Sequence, residues 1–432
     1  MHMSEKKELV PVLRFPEFKD GGEWCRYKLS EVLVKNSTRN KELKYTLIQS
    51  VSNKYGFINQ DEYFDNRIIA SKDTSNYYII KKGFFAYNPS RIDVGSLAYK
   101  QDDEISIISP LYVSFKIKNK KICDLFLYSY FLTENFKKQM IFEGGVRNTL
   151  PYENLSQIEM QAPSLPEQQK MIACLSSIDE LMTAESKKLE LLKRHKNGLM
   201  QNLFPQEGEK VPKVRFPEFR DIGEWEEKKM AALYDFITTN SLTREDLNYD
   251  SGKIKNIHYG DIHTKFKTLF DIAKENVPFI NQNVMISKIK EKNFCKKGDI
   301  IFADTSENID DVGKCTEIIN LNGEKLVSGL HTLLARQKKQ KLVIGFGGYL
   351  FKSDYIRKQI QQEAQGVKVL GISETRISNI QILFPGDQAE QQHITDCLSS
   401  LDEFITLQTK KVEQLKLHKK GLMQGLFPKI KE

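Results

Sequence analysis

The chain of 432 residues has two tryptophans, six cysteines and no long apolar run. Each shortage excludes something. No hydrophobic stretch reaches the roughly 18–20 residues needed to cross a bilayer. No positively charged leader with an apolar segment opens the chain, so the expected location is the cytoplasm. The cysteines (Cys25, Cys123, Cys174, Cys295, Cys315 and Cys397) show no C-x-x-C spacing and are expected as free thiols. The seven histidines lack H-E-x-x-H or comparable spacing, so no metal site is expected. Catalytic signatures are missing as well. Gly313-Lys314 lacks the rest of a phosphate loop, and "GFGG" at 345–348 is not a dinucleotide fingerprint. In "YNPSR" at 87–91, Ser90 and Arg91 stand where an adenine methyltransferase motif needs proline and an aromatic, which leaves a turn. No catalytic residue is assigned.

What the chain does have is repetition, the first thing to seek in a sequence. "LRFPEF" at 13–18 returns as "VRFPEF" at 214–219, and both tryptophans follow in matching Gly-Glu-Trp triplets at 22–24 and 223–225. A longer match runs without a gap from Glu167 to Pro205 and from Glu390 to Pro428. The chain therefore reads as two halves, each with an opening motif, a variable body and a closing segment. Net charge is +8, and lysine and arginine outnumber aspartate and glutamate in both bodies, which permits an acidic partner.

The closing segments carry a heptad seam. In the first it is Met171, Leu175, Ile178, Met182, Leu189, Leu192, Leu199 and Leu203. In the second it is Ile394, Leu398, Leu401, Ile405, Val412, Leu415, Leu422 and Leu426. Polar residues interrupt it at Glu185 and Lys196, and at Gln408 and Lys419. A helix of this length, roughly 55 Å, suits a coiled coil better than a globular core. Pairing the two helices antiparallel, with residue x opposite 604 − x, sets Glu185 against Lys419 and Lys196 against Gln408. That register overlaps the helices by about 39 Å, close to one turn of B-DNA at roughly 34–36 Å.

The bodies read as α+β, with short strand-like runs such as "TLIQSV" (46–51), "YYIIKKGFFAY" (77–87), "LYVSFKI" (111–117) and "DIIFA" (299–303). Helical stretches are expected at 124–140 and 348–364. The expected fold is two globular domains joined by two long helices in an antiparallel coiled coil, pseudo-twofold by internal duplication. The expected boundaries are 10–164 for the first domain and 165–205 for the first helix. A linker with the second domain follows at 206–386, and the second helix at 387–428.

Two variable bodies, each opened by "RFPEF…EW" and closed by "EQQ…CLSS[IL]DE…GLMQxLFP", resemble the specificity (S) subunit of type I restriction–modification systems. The resemblance spans Val10 to Pro428, and "IHYGDIHTKF" at 257–266 adds to it. It implies that each body is a target-recognition domain reading one half of a split, asymmetric sequence in double-stranded DNA. It also implies that the helices dock two methyltransferase (M) subunits, that two restriction (R) subunits complete the complex, and that this chain is not an enzyme by itself. S-adenosylmethionine for adenine-N6 methylation would sit on the M subunits, ATP and magnesium for the deoxyribonuclease on the R subunits, and no cofactor on this chain. The alternative from another class is a coiled-coil scaffold whose globular domains bind protein partners.

Sequence is read by polar side chains on base edges, whereas most basic residues only hold phosphates. The expected DNA-contacting residues in the first body are Asn53, Lys54 and Tyr55, Ser90 and Arg91, and Arg147 and Asn148. In the second body they are Tyr259, His263, Thr264 and Lys265, then Thr305, Ser306 and Asn308, and His331 and Lys368.

Overall fold

Two helices of 39 residues each, Leu165–Leu203 and Gln388–Leu426, organise the protein. The computed structural model describes residues 10–60, 73–144, 148–285 and 289–428. It divides into two compact units, residues 1–186 with 411–432, and residues 187–410. Each unit thus takes one part of both long helices. Pro166 occupies the first turn of one helix, where its missing N–H costs nothing, and Asp387 caps the other by accepting from Ala389 N at 2.7 Å. Pro205 and Pro428 stand just past the ends and cannot extend them. Among the described residues no helix is long and apolar enough to cross a membrane.

Within each unit the helices run antiparallel, but the register differs from the expected one. Lys419 pairs with Asp179 at 2.6 Å and Lys411 with Glu185 at 2.5 Å in the first unit; Lys196 pairs with Asp402 at 2.5 Å in the second. The core of the first unit holds Met171 and Leu175 with Leu422 and Leu426. That of the second holds Leu199 and Leu203 with Ile394 and Leu398. The ion-paired positions sum to 598, 596 and 598, which sets the register at about 597 − x, one heptad from 604 − x. Glu185 therefore does not face Lys419, nor Lys196 face Gln408. The physical reason is burial. A slip of seven preserves the alternation of a and d layers, and it brings in Met171, Leu175, Ile394 and Leu398, which the longer sum leaves overhanging. It also gives each seam lysine a carboxylate.

The opening motif is a clasp on the long helices, built twice. Arg14 donates to both carboxylate oxygens of Glu167 at 2.8 Å and to the Gly22 carbonyl at 2.7 Å. Arg215 does the same to Glu390 at 2.7 Å and to the Gly223 carbonyl at 2.6 Å. The next residues, Gln168 and Gln391, are fully buried and bond loop backbone at Cys123 and Lys121, and at Val343 and Lys341. Leu13 N donates to the Gly425 carbonyl at 2.8 Å, and Val214 N to Asn202 at 2.9 Å. The tryptophans close the clasp. Trp24 lies 6.3 Å from Phe427 and 6.0 Å from Phe126; Trp225 lies 6.1 Å from Phe204 and 6.4 Å from Phe346. Each "LFP" end thus seals the unit that the other helix begins.

The bodies diverge in sequence yet share a strand order. In the first unit one sheet runs Leu33–Lys35, Val113–Ile117, Phe84–Tyr87, Leu97–Tyr99. In the second it runs Tyr234–Ile237, Thr332–Gln337, Ile300–Ala303, Cys315–Asn320, with Leu269–Asp271 added at the edge. Each unit has another four-stranded sheet containing one parallel pair, Ile48–Ser52 with Ser106–Ile108 and Lys255–Ile257 with Leu326–Ser328. A ribbon of two strands precedes each long helix, Cys25–Lys28 with Glu159–Ala162 and Glu226–Lys229 with Gln381–Phe384. The second unit carries one more ribbon, Thr305–Ser306 with Leu370–Gly371. The helical stretches expected at 124–140 and 348–364 are each broken in two, at Asp124–Phe131 and Glu134–Lys138, and at Phe346–Leu350 and Asp354–Glu363. Thr133 and Ser353 are the N-caps that restart them, and Thr133 accepts from Phe136 N at 3.3 Å. "GFGG" is structural. Gly345 N and Gly348 N donate at 2.7 and 2.6 Å to Glu317, whose burial pushes its carboxyl up to about 7 against those two bonds. All six cysteines are free.

Candidate nucleic-acid interfaces

In the first unit Asn53, Lys54, Tyr55, Ser90, Arg91 and Asn148 lie on three neighbouring loops. Strands Ile48–Ser52 and Gly56–Asn59 pair antiparallel, so Asn53, Lys54 and Tyr55 form the hairpin tip. Ser52 Oγ accepts from Lys54 N and Tyr55 N at 3.2 and 3.3 Å, and Gly56 closes the turn at φ +70°. Tyr55 stays exposed beneath the Lys54 ammonium, 4.8 Å from its ring centre. Ser90 and Arg91, both exposed, sit in the turn after Phe84–Tyr87, where Arg91 N donates to the Asn88 carbonyl at 3.0 Å. The turn is closed by backbone hydrogen bonds. Its far end packs on the hairpin, since a Cβ on Gly95 would lie 3.9 Å from that of Asn53. Its near end is tied to the third loop by Leu150 N donating to the Pro89 carbonyl at 3.0 Å and by Tyr87 OH donating to the Leu150 carbonyl at 2.9 Å. Asn148 is exposed on that loop; Arg147 lies outside the described residues.

In the second unit the cluster is tighter. The short helix Tyr259–Thr264 is capped by His258, whose Nδ1 accepts from Gly260 N at 3.2 Å. His263 Nε2 lies 2.9 Å from the Thr305 carbonyl, which joins this helix to the Thr305–Ser306 ribbon. The Tyr259 ring stands 5.3 Å from that of His331, and His331 Nδ1 is 3.4 Å from Asp304 Oδ1. Asn308 Oδ1 accepts from Asp310 N at 3.0 Å and shapes the exposed loop after the ribbon. Before the other ribbon strand, Leu370–Gly371, a bend closed by the Gln365–Gly371 bridge carries exposed Lys368 between Val367 and Val369. Tyr259, His263, Thr305, Ser306, Asn308, His331 and Lys368 therefore share one neighbourhood.

Three of the expected contacts are already occupied, the first being His263, whose Nε2 is taken by the Thr305 carbonyl and whose Nδ1 is buried. The Thr264 hydroxyl donates back to the Gly260 carbonyl at 2.8 Å, as helical threonines do. Lys265 bonds Tyr249 OH and Asp261, both at 2.9 Å. Sequence reasoning missed the network behind it. Arg244 grips buried Asp261 with bonds of 2.7 and 3.0 Å and lies 3.3 Å from His258 Nδ1. Burial pushes the Asp261 carboxyl up, but Arg244 and Lys265 outweigh it and hold the group below its ordinary value. Burial, then Arg244, pushes the His258 imidazole down, so a neutral ring caps the helix. Lys314 was missed too; its ammonium donates to the His263 carbonyl at 2.9 Å. No local pattern announces Arg244, because its partner comes 17 residues later, beyond the strands Leu247–Asn248 and Lys255–Ile257.

Comparison with known proteins gives a consistent result. The model of the family "Type I restriction modification DNA specificity domain" matches residues 21–194 and again 222–417. The chain is 27% identical over 329 residues to the type I restriction enzyme MjaVIII specificity subunit of Methanocaldococcus jannaschii, covering 74% of this chain and 73% of that protein. It is 21% identical over 423 residues to the putative MjaX specificity subunit of the same organism, with 94% and 93% covered. Among solved structures, the type I restriction–modification S subunit of M. genitalium has the same fold, with TM-score 0.54 at 12% identity, covering 98% of this chain and all of that one. A chain from a structural study of type I R-M complex assembly and conformational transition superposes with TM-score 0.53 at 14% identity, with 94% and 97% covered.

Proposed function

Because the chain belongs to the type I restriction modification DNA specificity family and is the sequence-recognising subunit of such a system, we propose that its two loop clusters each read one half of a split DNA target. The observation that carries this reading is the convergence, in each unit, of exposed polar side chains from separate loops on the same strand order. A scaffold that bound only protein would not need its bodies to keep one framework and diverge at those loops. Phosphates would be held by the surrounding cations and bases read by Asn53, Ser90, Arg91 and Asn148 in one unit, and by His331, Ser306, Asn308 and Lys368 in the other.

The helices are the docking site for methyltransferase subunits. Leu181 and Phe404 occupy equivalent positions of the two closing segments, lie beside the seam, and remain 43% and 60% exposed. An unpaired apolar side chain at the same place in both repeats suits one copy of the same partner on each. Methylation chemistry, with S-adenosylmethionine, belongs to that partner; translocation and cleavage, with ATP and magnesium, belong to restriction subunits. The experiment is co-expression with the cognate methyltransferase subunit and genome-wide mapping of N6-methyladenine. Modification at a bipartite motif with a constant gap is expected. A stable complex that binds S-adenosylmethionine yet modifies no such motif would overturn the reading.

A further inference from the structure

His331 has a backbone conformation that its residue type disfavours. It sits in the turn between Leu326–Ser328 and Thr332–Gln337 at φ +55°, in the left-handed region, where glycine is at ease and an imidazole-bearing residue is strained. The core does not require its side chain, which is 46% exposed. Yet the ring is held from two sides. Tyr259 meets it edge-on at 79°. Asp304 Oδ1, a buried atom, faces Nδ1 at 3.4 Å. The backbone is tied in as well: Asp304 N donates to the His331 carbonyl at 3.0 Å, and Ile372 N to the Asp304 carbonyl at 2.8 Å. The strained turn is thereby joined to both strands of the ribbon that carries Thr305, Ser306 and Lys368.

We propose that His331 is a specificity-determining residue of the second domain, reading one base through Nε2, with Asp304 and Tyr259 as positioning residues. A carboxylate at Nδ1 favours the tautomer protonated there. In that tautomer Nε2, the ring nitrogen not turned to Asp304, is the acceptor. In the major groove its complement is an exocyclic amino group, N6 of adenine or N4 of cytosine. The inference rests on the DNA-reading function proposed above.

The test substitutes His331→Gly in the full chain, co-expressed with the methyltransferase subunit, and maps N6-methyladenine. Glycine takes φ +55° without strain, so the thermal unfolding midpoint should hold or rise while the base contact is lost. Discrimination at one position of the second half-site should fall on the order of 10- to 100-fold, with the first half-site and the gap unchanged. His331→Asn, which also tolerates this backbone, should change the preference at that same position. Asp304→Asn should relax that position and no other, which a merely structural role would not do. An unchanged motif in His331→Gly overturns the inference and leaves the DNA-reading function standing. Loss of all methylation without loss of stability overturns it too, since affinity and not specificity would then be at stake. A wild-type complex that modifies no bipartite motif overturns both.

Discussion

Arg215→Ala should destabilise the second unit by about 3–5 kcal/mol, the usual cost of leaving one half of a buried ion pair behind. The side chains of Arg215 and Glu390 are 6% and 1% exposed, so solvent cannot screen the orphaned carboxylate. Trp225 Nε1, 3.3 Å from Glu390, would remain as a donor. In the first unit Trp24 Nε1 makes no hydrogen bond, and Glu167 would keep none of its bonds from Arg14. Arg14→Ala should therefore cost more than Arg215→Ala, by about 1.5–3 kcal/mol, the worth of one hydrogen bond to a charged group. The double change Arg215→Met with Glu390→Leu should recover most of the loss, because neither charge is then stranded. Urea unfolding followed by tryptophan fluorescence reads this directly, since the two tryptophans each sit in one clasp. Trp24→Phe isolates the signal of the second unit and Trp225→Phe that of the first. A shift below about 1 kcal/mol for Arg215→Ala, or an equal shift at both tryptophans, would refute the view that the repeated motif fastens each unit through this pair.

Three further outcomes are expected. Lys196→Glu should destabilise the coil by about 1–2 kcal/mol through like charges, and adding Asp402→Lys should restore it in equilibrium unfolding; a register of 604 − x gives no such rescue. Glu317 is raised to about 7 by burial, so the folded protein keeps a proton there that the unfolded chain releases above about 4.5. Its contribution to stability is therefore greatest below that lower value and is lost as pH rises toward 7, by at most about 3 kcal/mol. Glu317→Gln should flatten the slope of stability between those pH values, and an unchanged slope would count against it. Gly366→Ala should distort the ribbon turn, because its Cβ would fall 1.9 Å from the Val369 carbonyl oxygen at φ +133°. Methylation mapping should then show a weakened second half-site and an intact first one.

The candidate sites were legible to the extent that turn chemistry marked them. Asn53-Lys54-Tyr55 and Asn88-Pro89-Ser90-Arg91 announce turns by composition, and both prove to be exposed loops that meet. That Lys265 is spent on Asp261 and Tyr249 could not be read, because a lysine's partner is set by what lies opposite it in space. Arg244 was invisible for the same reason. Strand order was beyond reach as well: alternation of apolar residues marks Ile300–Ala303 as a strand without saying that Thr332–Gln337 and Cys315–Asn320 flank it.

The duplication and the two long helices could be read from the sequence, because repetition and a heptad seam are local patterns that the chain displays directly. Tertiary structure alone decided which heptad meets which. The seam is degenerate in steps of seven, and only the extra layer of Met171, Leu175, Ile394 and Leu398, with the ion pairs at Asp179, Glu185 and Asp402, separates one register from the next. It also decided what the repeated "RFPEF…EW" is for. A buried arginine acquires a role only when a helix 153 or 175 residues away brings its carboxylate to it. Long-range burial and charge pairing carry that choice, and neither has a period that a sequence can display.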